Sequence, residues 1–225
     1  MIALEHVSFG YGAREILTDL TAHLAPGSFH FLTGPSGAGK TTLLRLLTME
    51  HAPTSGTVKL FNSDPTRLGR AERLELRRRI GVVFQDFRLL DHMTLAENVI
   101  LPLRVTGPRL DAREDDLDDL LKWVGLAERA DAHPPELSAG EAQRAAIARA
   151  VITAPDLILA DEPTGNVDPD MAERILRLLV ELNELGNTIV VASHDRSLIR
   201  SAKSQIPVRI LRLTDGRLMQ GASTL

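Results

Sequence analysis

The fold of this chain is decided by the stretch Gly34-Pro35-Ser36-Gly37-Ala38-Gly39-Lys40-Thr41. Its spacing is G-x-x-x-x-G-K-[ST], and it lies between an apolar run, residues 29–33, and a helical run, residues 42–49. A strand, a glycine-rich loop and a helix in this order predict a phosphate-binding loop. The glycines let the backbone wrap closely around an anion, and the helix N-terminus adds about half a positive charge. The stretch therefore predicts a nucleoside triphosphate site, with Lys40 at the β- and γ-phosphates and Thr41 at Mg²⁺.

Further apolar runs indicate that this loop belongs to an α/β protein. Residues 80–84, 157–160 and 189–193 are rich in β-branched or aromatic side chains and are bounded by turn residues, as buried strands of such a sheet are. Between the strands lie helical patterns, one of them an apolar face of period 3.6 that runs from Met171 to Leu185.

The two ends of the chain predict antiparallel structure. Residues 2–9 alternate enough for an edge strand, and residues 208–213 and 217–219 flank the turn Asp215-Gly216, which is typical of a hairpin.

The region 87–151 reads as helix and loop without a clear core strand. We therefore predict a single domain, residues 1–225, whose core (about 1–86 and 152–225) is interrupted by a helical subdomain (about 87–151). One helix of this region carries an acidic run, Asp115, Asp116, Asp118 and Asp119. That run suits either a docking surface or a solvated helix face.

Composition excludes several classes of protein. The chain has 225 residues, a net charge of −4 and no cysteine, so disulfides, thiol catalysis and zinc–thiolate sites are excluded. A mildly acidic balance disfavours nucleic acid as a partner, and the basic run Arg77-Arg78-Arg79 is too short to argue otherwise. We expect no signal peptide and no membrane span, because no basic n-region and no run of 18 apolar residues is present.

Two acids end the apolar run 157–160, and a buried strand should not end in carboxylates that have no use. In a phosphoryl-transfer site Asp161 belongs to the Mg²⁺ shell, and Glu162 orients and polarises the attacking water. Gln85 and His194 directly follow two other predicted strands, at the sheet edge where ligands bind. The amide oxygen of Gln85 suits Mg²⁺ or that water.

Two other features have a structural and a functional interpretation. The run Leu137-Ser138-Ala139-Gly140-Glu141 starts a helix with a capping box, but a helix N-terminus with Ser and Gly is also an anion site. Tyr11, in a glycine-flanked loop, suits stacking on a base or packing on the domain.

Taken in order, these motifs resemble the nucleotide-binding subunit of the ATP-binding cassette (ABC) family, over essentially the whole chain. The resemblance implies a P-loop NTPase with a mixed-sheet core, an antiparallel β edge and an inserted helical subdomain. It implies Glu162 and His194 as catalytic residues, Thr41, Gln85 and Asp161 as Mg²⁺ ligands, and the following residues as nucleotide-binding: Tyr11, Gly34, Pro35, Ser36, Gly37, Ala38, Gly39, Lys40, Thr41, Thr42, Gln85, Ser138, Gly140 and Glu141.

The resemblance also implies an ATP-dependent, head-to-tail homodimer in which Ser138 and Gly140 contact the ATP of the other chain. Two departures stand out: Ala139 replaces a usual glycine of the family's L-S-G-G-Q/E motif, and Ala142 a common glutamine. Because the Ser138 hydroxyl and the Gly140 amide remain, we expect binding to be retained, whereas the bulk of the added methyl group predicts a modest loss of turnover.

Within the family, FLTGPSGAGKTTLL, IGVVFQDFRLLDHMTLAENVILPL and ARAVITAPDLILADEPTGNVD are most similar to the cell-division branch. That branch implies a peripheral position on the cytoplasmic face of the plasma membrane at the division site, an integral membrane partner that signals to cell-wall hydrolases, and cytoplasmic division proteins as further candidate partners.

Residues 87–103 are the implied contact with the membrane partner; their apolar Leu89, Leu90, Met93 and Leu95 suit either that contact or the subdomain's own core. The alternative is the ATPase of a lipoprotein-release or macrolide-efflux transporter.

Overall fold

The computed structural model describes residues 1–106 and 114–219. The strands, in chain order, are β1 (Ile2–Tyr11), β2 (Arg14–Leu24), β3 (Phe29–Thr33), β4 (Ser55–Leu60), β5 (Ile80–Val83), β6 (Leu157–Asp161), β7 (Thr188–Ala192), β8 (Val208–Thr214) and β9 (Arg217–Met219). The helices are α1 (Lys40–Leu47), α2 (Arg70–Arg78), α3 (Leu95–Thr106), α4 (Glu114–Trp123), α5 (Ala139–Val151), α6 (Pro169–Glu184) and α7 (Arg196–Gln205), with short 3₁₀ turns at Ala127–Arg129 and Pro134–Glu136.

A six-stranded sheet of order β5-β6-β7-β3-β8-β9 forms the core. Its first five strands are parallel, and β9 returns antiparallel to β8 through the predicted turn, where Asp215 and Gly216 both have positive φ. The predicted mixed sheet is thus confirmed. Because β6 and β7 pair in register, Asp161 lies level with Ala192, and the residues that follow the two strands emerge side by side.

The N-terminal strand is not an edge strand, so that prediction was wrong. β1 is the centre of a separate antiparallel sheet of order β2-β1-β4. The physical reason is that alternation reports a strand with one buried and one exposed face, and in an antiparallel sheet such a strand occurs in the middle as well as at the edge.

Two apolar clusters cover the two faces of the six-stranded sheet. One contains Phe29 and Phe31 of β3 together with the buried faces of α5 and α6. The other contains Leu32 of β3, the apolar residues of α1 and the inner face of the antiparallel sheet. β3, which carries the phosphate-binding loop, is therefore held between both clusters.

Between β5 and β6 the described residues form helices and loops only. α5 belongs to the same apolar cluster as β6 and β7, so the helical region shares its core with the sheet, and its bounds as a subdomain stay a prediction. Residues 107–113 and 220–225, which the predicted domain bounds include, lie outside the described residues. On α4, Asp116, Asp118 and Asp119 are exposed, whereas Leu121 is buried.

Within residues 1–106 and 114–219, every helix is too short or too polar to traverse a lipid bilayer.

Candidate functional site

A cleft of about 580 Å³ opens at the carboxyl ends of the parallel strands, where open α/β sheets bind ligands. Four sequence-predicted side chains from three strand ends line it together with the phosphate-binding loop: Gln85 after β5, Asp161 and Glu162 at the end of β6, and His194 after β7. Arg14, Ile16 and Gly165 also line the cleft. Sequence reasoning missed Arg14 and Ile16, although their position just after the glycine-flanked loop at Tyr11 was a signal.

The phosphate-binding loop is closely packed at two of its glycines. A Cβ on Gly39 would lie 2.7 Å from Leu17 Cδ2, and Gly39 has a φ of 101°. A Cβ on Gly34 would lie 2.2 Å from the Leu213 carbonyl oxygen. The loop is thus wedged between β2 and β8, and only glycine fits at these two positions.

The Lys40 side chain points into its own loop. Its Nζ donates hydrogen bonds to the carbonyl oxygens of Gly34 (2.9 Å) and Pro35 (3.2 Å), and it lies 3.9 Å from Glu162 Oε1. The Lys40 side chain is only 10% exposed, so its positive charge is concentrated where the loop would receive an anion.

Thr41, Gln85 and Asp161 lie together, because all three line both the cleft and a neighbouring cavity of about 350 Å³. Burial raises the pKa of Asp161, and the nearby Glu162 carboxylate adds to this, while a hydrogen bond from Thr41 opposes it. A hydroxyl, an amide oxygen and a carboxylate are hard oxygen ligands and suit Mg²⁺, which takes its other ligands from water and phosphate. Among the residues described, no group of three or more His, Cys, Asp or Glu is placed to hold a metal ion.

Glu162 is held in an uncommon backbone conformation, with a φ of 45°. Its N–H donates to the Ala192 carbonyl oxygen (2.8 Å), which fixes it against the end of β7. Its side chain is only 13% exposed, whereas that of His194 is 72% exposed. A buried carboxylate in a strained turn beside a phosphate-binding loop is typical of a residue whose position matters for chemistry.

Tyr11 lies at the end of the β1–β2 hairpin, opposite Arg14, and is not among the described residues that line the cleft. Its ring stands edge-on to Phe9 (5.0 Å between centroids) and to His51 (5.5 Å), and its hydroxyl lies 3.1 Å from His51 Nε2. Tyr11 is nevertheless 45% exposed. Tyr11 thus packs on the domain and still offers surface to a ligand.

The residues Ser138 to Glu141 lie apart from this cleft, and the residues found to line it include none of them. Ser138 caps α5, with a hydrogen bond from the Glu141 N–H, and the Glu141 carboxylate accepts from the Ser138 N–H (2.8 Å). Hydrogen bonds to this carboxylate from the Ser138 N–H and from the Ser138 hydroxyl (2.8 Å) lower the pKa of Glu141. A Cβ on Gly140 would lie 2.9 Å from Met171 Cγ, so Gly140 also serves the packing of α5 on α6.

Comparison with known proteins places this geometry in a family. The family model described as "ABC transporter" matches residues 17–165. The cell division ATP-binding protein FtsE of Escherichia coli K12 is 45% identical over 222 residues, which cover 98% of each chain. FtsE of Mycobacterium tuberculosis is 43% identical over 98% of this chain and 95% of its own. The solved structure of the ATP-binding cassette MJ0796, dimeric and bound to ADP and phosphate after hydrolysis, has a TM-score of 0.86 and 35% identity over 98% of this chain and 97% of its own.

Proposed function

Because this chain belongs to the ABC transporter family and is an ATP-binding, ATP-hydrolysing subunit, we propose that it forms part of a membrane complex of the FtsEX type. In this proposal, ATP-driven closure of two copies acts on an FtsX-like integral membrane subunit that regulates cell-wall hydrolysis during division. The observation that carries it is the 45% identity with FtsE across 98% of both chains. The chain is then peripheral, on the cytoplasmic face of the plasma membrane, through that partner.

The cleft supports a division of roles in hydrolysis. Residues 34–42 hold the phosphates, with Lys40 at the β- and γ-phosphates, and Thr41, Gln85 and Asp161 hold Mg²⁺. When bound, Mg²⁺ neutralises charge that develops on the phosphate oxygens. Glu162 polarises the attacking water, and His194 steadies the γ-phosphate and that water.

The other nucleotide contacts come from Tyr11, which stacks on adenine, and from the second copy of the chain. Ser138, Gly140 and Glu141 stand at the N-terminus of α5, which favours an anion, yet they do not line the cleft of their own chain. This separation supports the proposal that they meet the nucleotide of a second copy, head to tail. The dimeric state of the similar cassette MJ0796 supports the same arrangement.

The proposed contact with the membrane partner, residues 87–103, is divided between core and surface. Leu95 is fully buried, and Leu89 packs against the apolar cluster that contains Phe29 and Phe31. These two leucines therefore belong to the protein's own core. Leu90 remains 37% exposed and Met93 is partly exposed. The buried Asn98 side chain fixes this loop, since it donates to the carbonyl oxygens of Leu90, Met93 and Thr94. Of the four apolar residues named for this contact, Leu90 and Met93 are therefore available to a partner.

The experiment that tests this proposal is an affinity purification with a trapped variant. A tagged Glu162→Gln chain is held closed with ATP, and co-purifying proteins are identified from detergent-solubilised membranes. We expect an FtsX-like protein with few membrane spans and a large external loop. The matched control is the same variant with ADP, which should recover less of it. Recovery of a lipoprotein-release or efflux permease instead would assign the chain to the transporter branch. The absence of any membrane protein would overturn the proposal of a membrane partner.

A further inference from the structure

The segment that follows Gln85 is held in an unfavourable backbone conformation. Phe87 and Arg88 have φ values of 57° and 50°, so two consecutive residues that are not glycine lie in the left-handed region. Side chains disfavour this region because Cβ approaches the following carbonyl oxygen. Such a conformation persists only where the surrounding structure imposes it.

The side chain of Arg149, on α5, contacts the backbone of both residues. One guanidinium nitrogen donates to the Phe87 carbonyl oxygen and the other to the Arg88 carbonyl oxygen. Arg149 is partly buried, and its planar fork binds two adjacent acceptors in a fixed geometry, which a lysine ammonium does not reproduce. Both carbonyl groups are thereby drawn toward α5.

Contacts within the segment stabilise the same conformation. The Arg88 guanidinium lies 3.9 Å from the centre of the Phe84 ring, and Arg88 Nε donates to Asp86 Oδ1 (3.2 Å). On the other side, Asn166 Nδ2 donates to the Gln85 carbonyl oxygen (3.3 Å). The backbone is thus held on both sides of Gln85, by Asn166 from the loop after Glu162 and by Arg149 from α5.

We propose that Arg149 is a positioning residue for ATP hydrolysis, which keeps Phe87 and Arg88 in the left-handed conformation and so directs Gln85 into the cleft. The inference rests on the role of Gln85 in the proposed function. It adds a link across the molecule, because α5 is one continuous helix that carries Ser138 at its start and Arg149 near its end. A shift of that helix, when a second copy meets Ser138, moves the fork that holds the segment at Gln85.

The first test uses Arg149→Lys, which keeps the positive charge and loses the fork. Hydrogen exchange of the backbone amides of residues 86–90, in the chain without nucleotide, should be at least tenfold faster than in the parent, with unchanged exchange in β3 and β6. The matched control is Arg144→Lys, a partly buried arginine of the same helix that donates instead to the Val124 carbonyl oxygen. Unchanged exchange at residues 86–90 in a folded Arg149→Lys chain would overturn the proposal.

The second test separates positioning from general stability. Arg149→Lys should lower kcat at least tenfold and leave the Kd for ATP within twofold, whereas in a Gln85→Ala background it should change kcat by less than twofold. A merely structural role predicts a further loss in that background. If Gln85→Ala itself keeps the parental kcat, the role of Gln85 in the proposed function is wrong and this inference falls with it. If Gln85→Ala loses turnover and Arg149→Lys does not, only this inference is overturned.

A second substitution should rescue the turnover of Arg149→Lys. Glycine adopts the left-handed region without strain, so Arg88→Gly should restore at least threefold of the turnover lost in Arg149→Lys. Should Arg149→Lys not fold alone, the double variant Arg149→Lys/Arg88→Gly is compared with Arg88→Gly, and the amides of residues 86–90 should still exchange faster in the double variant. The absence of any rescue would contradict the link between backbone conformation and turnover.

Discussion

His194 Nδ1 lies 2.9 Å from Glu162 Oε1, at the point where β6 and β7 end side by side. Because a carboxylate accepts hydrogen bonds only, the imidazole donates from Nδ1, which leaves Nε2 as its other polar atom. The exposed histidine thus orients the buried carboxylate while its own ring faces the cleft. This is the arrangement expected of a general base and the residue that steadies it.

The role of Glu162 makes a direct prediction. Glu162→Gln should bind ATP and form dimers, but its kcat should fall by about 10²–10⁴, because an amide does not polarise water as a carboxylate does. Steady-state ATPase assays and size-exclusion chromatography with ATP check both parts. Glu184→Gln, at an exposed acid on α6, is the matched control and should leave both unchanged. Parental turnover in Glu162→Gln would exclude its role as base.

The packing of the phosphate-binding loop predicts different costs at two glycines. Gly39→Ala should lower the free energy of unfolding by about 1–3 kcal/mol and weaken ATP binding, because it adds left-handed strain and a clash with Leu17. Gly37→Ala, with a φ of 78° and open space around its Cβ, should cost less. Thermal unfolding and ATP titration measure both. Equal effects of the two substitutions would contradict the wedge between β2 and β8.

We expect Tyr11 to contribute to the affinity for ATP through the adenine base and not through the phosphates. Tyr11→Ala should weaken ATP binding by about 1–3 kcal/mol, the range of base–aromatic stacking, and leave tripolyphosphate binding unchanged. Tyr11→Phe, which keeps the ring and removes only the hydroxyl contact with His51 Nε2, should retain most of the affinity. Calorimetric titration with both ligands checks this. An equal loss for ATP and tripolyphosphate would instead assign Tyr11 to the packing of the hairpin.

His30, buried in β3, predicts sensitivity to acid. Burial, with a smaller contribution from Arg209, lowers the pKa of His30 from 6.5 to about 4. Its Nε2 contacts Ser28 Oγ (2.8 Å), while in the described chain Nδ1 is buried without a hydrogen-bond partner. Below about pH 6.5 His30 is protonated in the unfolded chain but stays neutral in the folded chain. The contribution of His30 to the free energy of unfolding therefore falls as the pH is lowered to about 4 and then levels off.

Between pH 7 and pH 4 we expect His30 to lower the free energy of unfolding by roughly 3 kcal/mol. Denaturant unfolding at a series of pH values should show a shallower decline for His30→Gln than for the parent. The exposed His23, on β2, provides the control, since His23→Gln should follow the parent curve. Parallel curves for the parent and His30→Gln would mean that His30 is not a buried neutral group.

The sequence predicts best those parts of the fold whose burial is extreme. β3, β5, β6 and β7 are short apolar runs between turn residues, and no predicted end differs from the observed one by more than one residue. β2 and β4 were missed because neither has a long apolar run or a clear alternation: β2 buries Leu17, Leu20 and Leu24 at uneven spacing, and β4 buries only Val58 and Leu60. α2 was missed because its nine residues bury only Leu76.

Part of the candidate site was likewise predicted from the sequence and part was not. The residues that line the cleft were predicted because motifs fix their order along the chain and parallel strands bring their ends together. The contact of Arg149 with Phe87 and Arg88 joins residues about sixty positions apart, and no residue type marked it. Left-handed backbone is usually signalled by glycine, and neither Phe87 nor Arg88 gives that signal.

The position of β3 between two apolar clusters has a consequence for how the protein matures. The phosphate-binding loop is anchored only when both faces of its strand are covered, since Phe31 belongs to one cluster and Leu32 to the other. A partly folded chain with a single cluster therefore has no formed loop for ATP to bind. A ligand that binds only the native state stabilises that state by mass action. ATP binding is therefore expected to stabilise only chains in which both halves of the core have formed.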